Sequence, residues 1–293
     1  MVSSHEHTLQ ATGIRTKLDH YIRNTASFDS HLYTDEMSPK TNATFYLIIR
    51  ICLKKGAVGA TAAHDFGYNP AAADAAAHTW ESLPWPAGQW DKMTTRFAND
   101  AERFWSGKFW LVPKMAYPEL QVTSGKQKYQ CNAYCRLLIY VKDSAADSHK
   151  VITLYNIKRR PGAAFREDSA TYIQSTMDEV QVLKDRWGLV YKQRTVFHEV
   201  GHVLGLPHIG VTTGMKYKNA AGTSTMCVAD DGAPHDRCYE GPKSSDTNSV
   251  MGKGSGISAR EARPWADRIE EHTGIDTDKW KISLQPVRPK PVK

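Results

Sequence analysis

The stretch 198–208 reads His-Glu-Val-Gly-His-Val-Leu-Gly-Leu-Pro-His, and its three histidines have the spacing of a metal site. His198 and His202 are four residues apart, so on one α-helix both imidazoles project from the same face and can bind one ion. Gly205 suits the left-handed residue that ends a helix. His208 therefore lies beyond the helix, on a turn that returns it to the other two histidines.

Three neutral imidazoles are a good ligand set for zinc, and they leave the fourth tetrahedral position open for water, as in catalytic zinc sites. Zinc lowers the pKa of a bound water from roughly 15.7 to about 7. Glu199 is placed to accept the proton of that water and to pass it to a leaving amine. We therefore expect His198, His202 and His208 to bind one catalytic Zn²⁺, with Glu199 as the base.

The pattern His-Glu-x-x-His-x-x-Gly-x-x-His, with a methionine turn further along the chain, resembles the signature of the metzincins, a clan of zinc peptidases. Ser249-Val250-Met251-Gly252 is similar to that turn, and the resemblance implies that Met251 forms an apolar floor beneath the imidazoles. Astacins and serralysins carry a tyrosine two residues after this methionine, where this chain has Lys253. The role of that tyrosine is not carried over, and no subfamily is assigned.

The resemblance covers about residues 189–252 and implies an α/β (α+β) catalytic domain. Its upper subdomain would hold a twisted mixed sheet and two long helices, and its smaller lower subdomain would be rich in loops. Together with composition, it predicts four segments: a polar N-terminal arm at 1–40, the upper subdomain at 41–205, the lower subdomain at 206–284 and a mobile tail at 285–293.

Local patterns predict the elements of this domain. The run 44–53 is rich in β-branched and aromatic residues, as in a strand covered on both faces. Apolar residues recur at helical spacing from Trp90 to a terminating Gly107. Residues 170–182 fit either a strand or a helix. Further predictions are strands at 109–112, 137–142 and 151–157, and helices at 70–80, 189–204 and from a Ser258/Glu261 capping box to Gly274.

Composition restricts the partners. With 41% hydrophobic and 24% charged residues, the chain has the profile of a soluble globular protein. The formal charge of +7 is scattered and accompanies no RNA-binding or basic-zipper pattern, so we expect no nucleic-acid partner. The apolar run 45–53 is interrupted by Arg50 and is shorter than the roughly 20 residues of a membrane span.

The N-terminal residues 1–10 lack the positive start and apolar run of a secretory signal. Three possibilities stay open: export by a route without such a signal, a leader already removed, or a protein that stays inside the cell.

The five cysteines leave at least one thiol unpaired within a monomer. Cys52 lies in the apolar run and is expected to be a buried thiol. Cys227 and Cys238 bracket a loop that a disulfide could close in an oxidising compartment. Cys131 and Cys135 are the rival candidates for a cysteine zinc site, but they lack the second pair that such sites have.

A long insertion separates the third histidine from the methionine turn, and it is rich in glycine, aspartate and lysine. It is a candidate for shaping the substrate cleft or for binding calcium, although its acids do not have EF-hand spacing and solvated loop acids are the alternative. The calcium candidates are Asp230, Asp231, Asp236 and Asp246.

Two functions from different classes follow. The leading hypothesis is a zinc-dependent metalloendopeptidase that hydrolyses peptide bonds in protein or peptide substrates. The alternative is a zinc-containing secreted effector or binding module with little peptidase turnover. An intact Glu199 favours the first, because a purely structural zinc site has no need of a base.

Overall fold

A computed structural model describes the fold of residues 19–23, 26–59, 81–158, 171–173, 180–184, 190–212, 214–218, 224–227, 238 and 246–292. The predicted helix at 70–80 lies outside these ranges. Within them the chain forms a mixed α/β structure around a nine-stranded sheet, accompanied by smaller sheets of two and three strands. The α+β prediction is confirmed.

The centre of the main sheet is β3 (Ala43–Lys55). It pairs in parallel with β8 (Ala133–Lys142) along one side. Along its other side it pairs antiparallel with β2 (Ala26–Tyr33) and then parallel with β9 (Lys150–Lys158). The outer strands are β1 (Asp19–Arg23) on β2, β4 (Glu81–Leu83) and β10 (Thr171–Ile173) on β9, β5 (Trp110–Pro113) on β8, and β15 (Trp280–Ser283) on β5.

The strand predicted at 44–53 is confirmed, and it is covered on both faces. Phe45, Leu47 and Ile49 are fully buried in the main core, while Ile48 is buried on the opposite face. Side chains on both faces of the strand are therefore packed in apolar clusters, as expected of a central strand.

The long helix α1 (Gln89–Trp105) lies on the main core face of this sheet. Its buried residues Met93, Phe97, Ala101 and Trp105 recur every four positions. At its C-terminal end the hydroxyl of Ser106 and the carboxylate of Glu102 accept hydrogen bonds from the backbone N–H groups of residues 137 and 139 of β8, at 3.0 and 2.6 Å. The helix therefore covers an edge of β8 that would otherwise expose unpaired donors.

Two further helices complete the core. Helix α2 (Thr195–Val203) contains the first two histidines of the motif, and α3 (Arg263–Thr273) ends at Gly274 in the left-handed conformation, as predicted. The indole N–H of Trp105 donates to the carbonyl of Phe197 at 3.2 Å, which joins α1 to α2. None of the described helices is both long and apolar enough to cross a bilayer.

The predicted start of the metal-binding helix at 189 is wrong. Residues 190–193 form β12 (Val190–Gln193), which pairs antiparallel with β11 (Gln181–Lys184). Cross-strand pairing makes these residues a strand, so α2 begins at Thr195 and is nine residues long. Of the two long helices that the resemblance implies, the described residues contain one, α1. Strands β10 and β11 also show that the described parts of 170–182 are extended.

Within the predicted arm and tail, the described residues include strands. Instead of an arm, residues 19–23 and 26–33 form β1 and β2, and Phe28 is buried in the core because β2 pairs with β3. The tail is extended, but β16 (Lys290–Pro291) pairs with β7 (Gln127–Gln130), which also pairs with β6 (Gln121–Ser124). These hydrogen bonds place residues 290–291 against β7, and the mobility of the tail stays a prediction.

The division into upper and lower subdomains near Gly205 stays a prediction. Strand β15 belongs to the range predicted as lower subdomain, yet it lies in the main sheet through its pairing with β5.

Candidate metal centre

The three histidines of the motif form one cluster. Helix α2 places His198 and His202 one turn apart, and Gly205 reverses the chain with φ of 83°, so that His208 returns to them. The Nε2 atom of His198 lies 3.0 Å from Nε2 of His202 and 3.2 Å from Nε2 of His208. The clustering of the three histidines, predicted from the helical spacing and the turn at Gly205, is confirmed.

Hydrogen bonds at the far sides of two rings define their tautomers. The Nδ1–H group of His198 donates to the carbonyl of Val250 at 2.7 Å, and that of His202 donates to the carbonyl of Leu206 at 2.8 Å. Both Nε2 atoms are therefore unprotonated in the neutral rings. Two acceptor nitrogens 3.0 Å apart repel each other unless a cation lies between them.

The donor set fits a tetrahedral metal ion. Imidazole nitrogens at roughly 2.0–2.1 Å from zinc are separated by about 3.3 Å in a regular tetrahedron, close to the spacings of 3.0 and 3.2 Å found between the Nε2 atoms. Among the described residues, these histidines are the only group of three or more potential ligands close enough to hold an ion.

Burial favours the neutral form of the histidines, which is the form that a metal ion requires. It lowers the pKa of His198 well below the usual value, with smaller contributions from the neighbouring His202 and His208. Burial likewise lowers the pKa of His202. Both rings are therefore neutral near pH 7, as metal ligation requires. Glu199 is buried beside His198 on the same helix, and its role as base stays a prediction.

Met251 lies against the middle of α2. A Cβ atom built on Gly201 would approach its sulfur to 2.2 Å, so the glycine between the two helical ligands allows the methionine this close contact. The backbone N–H of Ile209, next to the third ligand, donates to the carbonyl of Met251 at 2.9 Å. The methionine turn therefore contacts both the helix and the segment that carries His208.

A buried carboxylate joins the turn to the short 3₁₀ helix Ala259–Ala262, which leads directly into α3. Glu261 accepts hydrogen bonds from the hydroxyl of Ser249 and, at 2.7 Å each, from the backbone N–H and hydroxyl of Ser258. The Ser258/Glu261 capping box predicted from sequence is confirmed. Its link to Ser249 was not predicted, because nothing in the local pattern connects the two. Lys253 is also buried, and its backbone N–H donates to the carbonyl of Thr247 at 2.8 Å.

A disulfide joins Cys227 to Cys238, which confirms the pairing that their spacing allowed. The backbone N–H of Thr212 donates to the carbonyl of Cys238 at 2.8 Å, and that of Gly214 donates to the carbonyl of Cys227 at 3.0 Å. The disulfide therefore anchors the segment that follows His208. A two-stranded sheet of β13 (Lys216–Lys218) and β14 (Ser224–Met226) lies between these anchors.

The other candidate metal sites receive no support. Cys52, Cys131 and Cys135 are buried free thiols, and burial raises the pKa of Cys131 and of Cys135, which favours the neutral form. Asp246 forms an ion pair with Arg260. The remaining calcium candidates, Asp230, Asp231 and Asp236, lie outside the described residues.

Comparisons of the chain with protein-family models, curated proteins and solved structures found no match. Sequence reasoning found the ligands of the cluster but missed the contribution of Gln193, whose side-chain amide lies 3.0 and 3.1 Å from two carbonyls of the methionine turn. No periodicity marks such a residue.

Proposed function

We propose that this protein is a zinc-dependent endopeptidase of the metzincin type that hydrolyses peptide bonds in protein substrates. The observation that carries the proposal is the cluster of three imidazoles, two with unprotonated nitrogens facing each other, on and beside a helix that also carries a buried glutamate.

His198, His202 and His208 would hold the zinc ion. When bound, zinc supplies Lewis acidity that polarises the scissile carbonyl group and acidifies a water molecule. The backbone carbonyls of Val250 and Leu206 keep the first two rings oriented by accepting their Nδ1–H groups.

Glu199 performs the proton transfers. As a carboxylate it accepts a proton from the attacking water, and as a carboxylic acid it returns that proton to the nitrogen of the leaving amine. The group begins and ends the cycle deprotonated, so the transfers balance. Its burial strengthens its interaction with the reacting atoms, because charges interact more strongly at low dielectric.

The Cys227–Cys238 disulfide supports a second part of the proposal, namely that the peptidase acts in an oxidising compartment or outside the cell. An exported protein would keep the bond, whereas the reducing cytosol would open it. This would agree with a secreted effector as the biological setting.

The test compares Glu199→Gln with the wild type in digestion of a broad peptide library, with zinc content measured on both proteins. We expect zinc to be retained and cleavage to fall at least about 100-fold, the lower end of typical general-base contributions. Glu119→Gln, which changes an exposed carboxylate in the turn Pro118–Leu120, should cleave as the wild type does.

Two results would contradict the proposal. Full activity in zinc-loaded Glu199→Gln would exclude that residue as the base. A wild-type protein that binds zinc but makes no chelator-sensitive cut in the library would point to the alternative, a zinc-containing binding module.

A further inference from the structure

The side chain of Gln193 lies between the methionine turn and the first metal ligand. Gln193 is the last residue of β12, two residues before α2 begins. Its amide nitrogen is 3.1 Å from the carbonyl oxygen of Val250, 3.0 Å from that of Gly252 and 3.1 Å from Nδ1 of His198.

The available hydrogens settle which of these contacts are hydrogen bonds. A primary amide nitrogen has two hydrogens and no acceptor capacity. The two carbonyls of Val250 and Gly252 take both of them. The proton on Nδ1 of His198 goes to the carbonyl of Val250 at 2.7 Å, so that oxygen accepts two bonds, one for each lone pair. The amide nitrogen of Gln193 and Nδ1 of His198 are therefore in contact but form no hydrogen bond.

The opposite orientation of the amide is unfavourable. It would place the side-chain oxygen of Gln193 against two backbone carbonyl oxygens, so two repulsive contacts between oxygen atoms would replace two hydrogen bonds. If instead the amide nitrogen donated to Nδ1 of His198, the proton of that ring would have to lie on Nε2. The Nε2 lone pair would then be unable to bind a metal ion.

The acceptors that orient the rings of His198 and His202 come from different parts of the chain. His202 donates to Leu206, four residues further along the chain and just after the helix ends, so its orientation is local. His198 donates to Val250, 52 residues away in sequence. The orientation of His198 therefore depends on where the methionine turn lies relative to α2, and Gln193 is a side chain that joins the two.

We propose that Gln193 is a positioning residue of the metal centre: its amide holds the carbonyl of Val250 where that carbonyl orients His198 towards the metal ion. Strand pairing of Gln193 with Gln181 holds the backbone of this side chain in place. The inference rests on the proposed zinc site, and it adds a residue that the ligand motif does not contain.

The test is the zinc affinity of Gln193→Met, measured by competition with a chromophoric chelator. Methionine keeps the length of the side chain and removes both donors. We expect the dissociation constant for Zn²⁺ to rise about 10- to 100-fold, the usual effect of removing a group that orients a metal ligand. Unfolding of the metal-free proteins in urea is measured alongside, with circular dichroism to confirm that each is folded.

Gln130→Met is the matched control. The amide nitrogen of Gln130 also donates to two backbone carbonyls, those of Leu120 and Cys131, both at 3.1 Å. Its side-chain oxygen accepts from the backbone N–H of Tyr117 at 2.9 Å. This variant loses at least as many hydrogen bonds as Gln193→Met, so it should be destabilised comparably in the metal-free form. Its zinc affinity should equal that of the wild type.

Three results are decisive. Weaker zinc binding in Gln193→Met alone supports the proposal. Affinity within twofold of wild type in Gln193→Met, or an equal loss in both variants, overturns it, because the side chain would then be acting only on general stability. If Gln193→Met does not fold, Gln193→Asn, whose amide is one methylene too short to reach both carbonyls, is judged by the same criteria. A wild-type protein that binds no zinc would instead refute the proposed function.

Discussion

Replacing Gly201 by alanine tests whether Met251 packs beneath the metal-binding helix. An ideal Cβ at Gly201 would lie 2.2 Å from the sulfur of Met251 and 3.2 Å from Cζ2 of Trp105. Carbon and sulfur atoms in ordinary contact are roughly 3.5–4.0 Å apart. The methionine side chain would therefore have to retreat by about 1.3–1.8 Å from the helix.

Two effects of opposite sign determine the stability of Gly201→Ala. Alanine favours a helix over glycine by about 1 kcal/mol. Overpacking of a closed core costs about 1–3 kcal/mol. The net change is expected to be a loss of up to about 2 kcal/mol. Gly201→Ala in the Met251→Ala background meets no sulfur, so there the helix preference should dominate and the substitution should be neutral or stabilising.

The assay is urea unfolding of the wild type, both single variants and the double variant, all without metal. The contact with Trp105 is present in both backgrounds and cancels to first order. We expect a coupling free energy of about 1–3 kcal/mol between Gly201 and Met251. Additivity within about 0.5 kcal/mol would refute the packing of Met251 at Gly201.

Two other predictions concern stability. The double variant Cys227→Ser/Cys238→Ser should lose about 3 kcal/mol of unfolding free energy in non-reducing urea titrations, because the disulfide closes a loop of sequence separation 11; unchanged stability would contradict this. Burial, opposed by a smaller effect of Asp35, lowers the pKa of His31, so the unfolded chain binds more protons below about pH 6.5 and stability falls as the pH falls. His31→Phe should remove part of this loss. The difference in unfolding free energy between wild type and variant, measured in urea, should therefore change between pH 7.5 and 5.5. A constant difference would exclude His31 as a source of the pH dependence.

Much of the metal centre could be predicted because its ligands are local. Residues four apart, such as His198 and His202, lie on the same face of a helix. Glycine is favoured where the backbone adopts positive φ, as it does at Gly205. The same holds for the capping box of Ser258 with Glu261, three residues apart. Such features depend on a few consecutive residues, so their spacing is sufficient to identify them.

The limits of local patterns appear at 190–193. The helical spacing of apolar residues begins only at Val196, so the predicted start at 189 has no such support, whereas pairing with β11 makes 190–193 a strand. The same holds for 26–33, where pairing with β3 makes a strand of a segment that composition alone would leave outside the domain. In both segments the strand forms because of hydrogen bonds to another strand, and the sequence of the segment itself does not contain that partner.

The candidate ligands, the neighbouring glutamate and the turn that brings His208 back can all be read from consecutive residues. The groups that orient the imidazoles become visible only once the chain is folded. The carbonyl that accepts from His198 belongs to Val250, and the amide of Gln193 holds that carbonyl. The physical reason is that an imidazole needs a partner for its second nitrogen, and folding can supply this partner from any part of the chain.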